Sequence, residues 1–168
     1  MINFFKNVEK DKINNKDSFS KIASLLIHAA KIDEAYTDEE KEIIKKTLIE
    51  LGAEKLNVEK IINDATIIEE KTNQILDFTK GVKNMPHSDK VKIIEALWKI
   101  IYSNNNSDMY EANLMRRLAG LLYIDPKIMG NLKEKVKREL TKWLISLMIN
   151  VLNVNTLPVL KFALLIVF

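Results

Sequence analysis

The chain has 168 residues, 47% of them hydrophobic and 29% charged, with four glycines, three prolines and no cysteine. That length carries one hydrophobic core, so few glycines and prolines disfavour a fold of many strands and tight turns, and the lack of cysteine excludes disulfides, thiolate zinc sites and cysteine nucleophiles and suits a reducing cytoplasm. A net charge of +3 makes no case for nucleic acid, and the opening MINFFKNVEK meets charge too early for the apolar core of a signal peptide.

The first sixteen residues read as a lead segment. After the start signal KDSFS, Ile22, Leu25, Leu26, Ala29 and Ile32 recur at helical spacing and define one apolar face. The spacing predicts a second helix from about Thr37 to Leu51, with Ile43, Ile44, Leu48 and Leu51 buried and Gly52 taking the left-handed conformation that ends it. NVEKIINDATIIEE opens on Asn57, a good N-cap, and NQILDFTKGV supplies Ile75, Leu76 and Phe78 before Gly81 interrupts, which predicts two shorter helices.

In MPHSDKVKIIEALWKIIYS, Pro86 breaks what precedes, Ser88 caps, and Val91, Ile94, Leu97, Trp98 and Ile101 form the core stripe. Beyond the NNNSD turn, Leu114, Met115, Leu118, Leu121 and Leu122 mark another helix. Asp125 then reads as an N-cap followed by Pro126 at the first helical position, opening a basic helix to about Leu140. No Ser/Gly-rich or Pro-rich linker divides these helices, so they are expected to share one core.

The tail TKWLISLMINVLNVNTLPVLKFALLIVF changes character: Trp143 to Leu160 are 18 residues without a charge. That reaches the length of a membrane span, and the basic stretch before it suits a cytoplasmic side. Against a span stand Asn150, Asn153, Asn155, Thr156 and Pro158, each needing a partner in hydrocarbon. A helix from Trp143 to Leu152, a turn, and a final segment packed on the bundle or on a second subunit explains them more cheaply. A terminus poorly integrated with the fold is the third reading.

Two stretches match at a constant offset of 71. Asp33 aligns with Asn104, Leu26 with Leu97, Thr37 with Asp108, Glu40 with Glu111, Ile43 with Leu114 and Leu51 with Leu122. Each copy reads as apolar helix, polar turn, capping residue, glutamate three positions later, and apolar helix, so each carries the capping-box signature. The stretches LLIHAAKIDEAYTDEEKEII and ALWKIIYSNNNSDMYEANLMRRLAGLLYI resemble the TerB family, small all-helical proteins associated with bacterial tellurite resistance and stress response. Members of that family show an alanine-rich helix, an Asp-Gly turn with a glutamate seven residues after the aspartate, and an LW helix leading to a second such turn followed by an arginine pair. Asp33 and Glu40 match the first turn, Trp98 the tryptophan, Glu111 the second glutamate, and Arg116 with Arg117 the arginine pair, over roughly residues 17 to 140. Glu34 stands where the first turn has glycine, and Asn104-Asn105 replace the second Asp-Gly. Asparagine tolerates the left-handed turn, but the second copy loses an anionic ligand.

Residues 33 to 42 hold six carboxylates against one lysine, a local charge of −5, and residues 127 to 142 hold six cations against two carboxylates, +4. For Asp33, Asp38 and Glu40 two readings stand. A capping box with acidic residues in the first turn stabilises a helix start by about 0.5–2 kcal/mol with no ion present. Alternatively the three converge as hard oxygen ligands, with backbone carbonyls and water completing the shell of Ca²⁺ or Mg²⁺, and Glu111 is the candidate metal ligand of the second copy. The loop is not an EF-hand, because it lacks the central glycine and places Ile44 or Met115 where the bidentate glutamate belongs. With only His28 and His87 available, and no thiolates, zinc is disfavoured. Arg116, Arg117, Lys133, Lys137 and Arg138 are the candidate contacts for an acidic partner, with pairing inside the chain the competing role for the arginines. No phosphate loop or nucleophile arrangement appears, which argues against an enzyme.

The expectation is an all-α chain: a compact bundle of about seven helices, with an internal repeat of two helical hairpins. Its parts are a lead segment 1–16, a helical domain 17–140 and an apolar tail 141–168. The resemblance implies a non-enzymatic stress-response protein, cytoplasmic or at the inner face of the membrane, with a divalent-ion-responsive acidic loop and a protein partner in a membrane-associated assembly. The alternative is a metal-independent helical adaptor or co-chaperone-like module, tail-anchored or homo-oligomeric.

Overall fold

A helix with a wide apolar face must be enclosed by others, and residues 17–30, helix α1, have such a face, with Asp17, Lys21, Ser24 and His28 on the remaining side. In the computed structural model, which describes residues 17–32, 36–72, 75–103 and 109–152, Ile22, Ala23, Leu25, Leu26, Ile27, Ala29 and Ala30 are all buried. The further helices are α2 (Asp38–Glu50), α3 (Val58–Lys71), α4 (Ile75–Lys83), α5 (His87–Ser103), α6 (Met109–Leu122) and α7 (Pro126–Leu152). The protein is all-α, with no strand among the described residues.

The chain divides into two units, residues 1–133 and 134–168, with the division inside α7. In the first unit α2 packs on α3 and α5, and α6 packs on α4 and α5. Helix α1 is tied to α3 by Ser24 Oγ, which donates to the Ala65 carbonyl at 3.1 Å. It approaches α4 so closely at Gly81 that a Cβ there would lie 2.8 Å from Lys21 Cβ. The expected break at Gly81 does not occur. The glycine is inside α4, where the need for close approach outweighs its low helix propensity.

The repeat is visible as structure. Shifted by 71, residues 17–30 fall on α5 and 38–50 on α6. Both second helices end in the same way. Gly52 (φ 102°) follows α2, with Gly52 N–H donating to Ile49 O and Ala53 N–H to Leu48 O, while Tyr123 (φ 54°) follows α6, with Tyr123 N–H donating to Gly120 O and Ile124 N–H to Ala119 O. These are paired Schellman caps, each followed by a buried apolar residue, Ala53 or Ile124. Two lysines of α5 reach these ends: Lys92 Nζ donates to Glu50 O and Lys90 Nζ to Leu122 O, both at 3.3 Å, placing positive charge at the negative ends of two helix dipoles.

Several local expectations shift. The buried face of α2 carries Glu40, Ile44, Thr47 and Leu48, with Ile43 and Leu51 half-buried, because the polar groups of Glu40 and Thr47 find partners inside. Asn57 occupies the N-cap position of α3 without capping it and instead donates to Glu54 Oε2 at 2.7 Å. Helix α5 starts at His87, so Ser88 lies in its first turn rather than capping it. Asp125 does cap α7, accepting from Lys127 N–H at 2.7 Å, with Pro126 as the first helical residue.

Within the second unit α7 runs on past Leu140 to Leu152 as one helix, since no glycine or proline interrupts residues 131–152. Lys135 and Glu139 pair at 3.8 Å, and Thr141 Oγ1 donates to the Lys137 carbonyl. No helix among the described residues is long and apolar enough to cross a membrane. The tail beyond Leu152 lies outside the described residues.

Candidate functional site

Helix α2 starts at the acidic turn, where Thr37 and Glu40 form the expected capping box. Glu40 Oε2 accepts from Thr37 N–H at 2.7 Å and from Thr37 Oγ1 at 2.8 Å, while Thr37 Oγ1 accepts from Glu40 N–H at 3.3 Å. These bonds let the carboxylate sit 1% exposed, a degree of burial that an unsatisfied charge would not tolerate. Its other oxygen lies 3.4 Å from the hydroxyl of Ser103, the last residue of α5. Glu40 therefore ties the start of one hairpin's second helix to the end of the other hairpin's first.

Tyr36 borders this cap. Burial first, and then the charges of Glu40 and Glu59, push its phenol up to about 12, so it stays a neutral donor at physiological pH. Its hydroxyl is buried with no hydrogen-bond partner among the described residues. Asp38 and Glu39 are exposed in the first turn of α2, where the helix dipole favours them. One turn on, Lys45 meets Glu59 of α3 at 2.8 Å and Glu42 at 3.5 Å, and Lys41 meets Glu59 at 3.6 Å. The hydrogen bond from Lys45 holds the Glu59 carboxyl below its ordinary range.

Of the four proposed ligands, Asp38 and Glu40 lie at one helix start. Asp33 and the side chain of Glu111 lie outside the described residues, as does Asp108, the expected capping residue of the second copy. Among the described residues, no three His, Cys, Asp or Glu side chains gather as a metal cage. The oxygen donors of the turn are of the hardness that Ca²⁺ or Mg²⁺ takes, but one oxygen of Glu40 is already committed to the cap.

The cations are distributed. Arg116 and Arg117 are exposed on α6, with Arg116 Nη1 donating to Asn113 Oδ1 at 3.3 Å. Lys133 places Nζ 5.4 Å from the centre of the Trp98 ring, which stacks on Tyr102 at 5.7 Å. Trp98 is the expected core anchor, 5% exposed, and its Nε1 is buried with no partner among the described residues. Lys137 and Arg138 are exposed on the second unit's part of α7.

Sequence reasoning passed over two features. Ser103 has no local signal, since its role depends on a residue 63 positions away. His28, weighed only as a zinc ligand, approaches Glu69 Oε1 of α3 at 3.1 Å, beside Lys31 Nζ at 2.9 Å from Oε2, and its ring centre is 5.9 Å from that of Phe78.

Seven helices among the described residues, a hairpin repeated at an offset of 71 and the Glu40 cap that reaches Ser103 of the other copy define an all-α protein with an internal helical repeat. The chain belongs to the family described as tellurite resistance protein TerB, whose model matches residues 20–150. Comparison with curated proteins and with solved structures gave no match.

Proposed function

We propose that this chain is a non-enzymatic stress-response member of its family whose acidic turn responds to a divalent cation and passes that response to a protein partner in a membrane-associated assembly on the cytoplasmic side. The observation that carries the reading is the Glu40 cap. Because one carboxylate links the start of α2 to Ser103 at the end of α5, a charge change at the first turn acts on both hairpins. Asp33, Asp38 and Glu40, with Glu111, would hold Ca²⁺ or Mg²⁺, and the ion would neutralise the turn and fix the angle between its flanking helices.

The test is a residue-resolved NMR titration of the full chain with Ca²⁺ and Mg²⁺, repeated for Asp33→Asn. That position is chosen because substitution at Glu40 would also break the cap. Saturable shifts over residues 33–42 that vanish in the variant support the ion, whereas unchanged resonances and unchanged stability at millimolar concentrations refute it. A second reading, a metal-independent adaptor, is favoured by the exposure of Arg116, Arg117, Lys137 and Arg138. A partner captured in the presence of chelator and lost on charge reversal of Lys137 and Arg138 would establish it.

A further inference from the structure

Helix α7 carries an apolar face with no cover among the described residues of its unit. Trp143, Leu144, Leu147 and Met148 are between 42% and 60% exposed. At about 100° per residue these four fall within a single arc, so they form a contiguous stripe rather than scattered exposure. The two turns before it hold Lys135, Lys137, Arg138 and Lys142, all exposed, against Glu134 and Glu139. The helix is thus cationic and then apolar, with a tryptophan at the junction, the residue type that favours the boundary between headgroups and hydrocarbon.

We propose that the Trp143, Leu144, Leu147 and Met148 face of α7 docks in plane on an anionic lipid surface, with Lys137, Arg138 and Lys142 meeting the headgroup phosphates. Charge complementarity favours this occupant: a second copy packed through its own α7 would bring the same net cationic stretch, four cations against Glu134 and Glu139, whereas an anionic bilayer offers both hydrocarbon and phosphate. Docking in plane also agrees with the absence, among the described residues, of a helix long and apolar enough to cross. The inference deepens the membrane association of the proposed function by naming its surface, and it is independent of the ion.

Flotation of the full chain with phosphatidylcholine vesicles, with and without phosphatidylglycerol, tests it. The expected result is binding only to the anionic vesicles, weakened by salt. It should fall about thirtyfold in Lys137→Gln/Arg138→Gln and by at least about tenfold in Leu144→Asn/Leu147→Asn, with far-ultraviolet circular dichroism unchanged in both because all four positions are exposed. Equal binding to neutral vesicles, or binding indifferent to Leu144→Asn/Leu147→Asn, overturns the proposal. So does a dimer in light scattering, lost in that variant, with no lipid bound. Fractionation with native membranes but not with pure lipid would also overturn it, while leaving the membrane association of the proposed function standing through a protein.

Discussion

At the start of α2 the Glu40 carboxylate accepts both the amide and the hydroxyl of Thr37 while almost wholly buried, so cap and core share one side chain. Thr37→Ala and Glu40→Gln should each lower unfolding stability by about 1–2 kcal/mol, the range of cap and charge-assisted bonds. Because each removes the other's partner, the double variant should lose less than the sum in urea denaturation. The left-handed positions after α2 and α6 form a second test. Nothing lies within 4 Å of a Cβ built at Gly52, so Gly52→Ala pays only the backbone cost of about 1–2 kcal/mol. Tyr123 already bears that strain, offset by Lys83 Nζ at 4.9 Å over its ring. Tyr123→Gly should therefore stabilise by up to about 1 kcal/mol, and melting temperatures should move in opposite directions for the two variants. The cap at Thr37 and the left-handed Gly52 were legible because both are signalled within a few residues; Tyr123 was not, because tyrosine is no signal for positive φ and only its place in the repeat marks it.

Between elements, the close approach of α1 and α4 and the ionic contact of α1 with α3 organise the first unit. At Gly81 the atom facing an added methyl is the Lys21 Cβ, which cannot swing away as a side-chain end could. Gly81→Ala should lower stability by about 1–3 kcal/mol despite the better helix propensity of alanine, measured by thermal unfolding. Burial opposes ionisation of Glu69, but hydrogen bonds from Lys31 and His28, aided by their charges, hold its carboxyl below the ordinary value of 4.5. A carboxyl lowered in the fold contributes stability that is complete above about pH 4.5 and is lost as pH falls from there through its lowered value. Glu69→Gln should cost about 1 kcal/mol at neutral pH and flatten the acid limb of a stability profile between pH 6 and 3, whereas an unchanged limb would place the acid sensitivity elsewhere. The sequence placed these helices through their periodicity, yet Gly81 read as a break, since glycine in a helical pattern looks the same whether it ends a helix or admits a neighbour.

For the whole molecule, burial ranks the helices. Residues 22–30 of α1 are buried almost throughout, so their amides should exchange with solvent only on global opening and be the slowest in the chain. Amides of residues 143–149, whose largest side chains face solvent, should exchange faster, as hydrogen-exchange mass spectrometry can resolve. By itself the sequence determined the all-α class, the order of the helices, the capping box and the repeat at offset 71, because each depends on spacing within a turn or two of chain or on self-similarity. Only the tertiary structure decided that Glu40 meets Ser103, that Lys90 and Lys92 cap the ends of two other helices, that Glu69 gathers His28 and Lys31, and that α7 bares an apolar stripe. Those depend on which faces meet across tens of residues, and local propensity carries no record of a partner that distant.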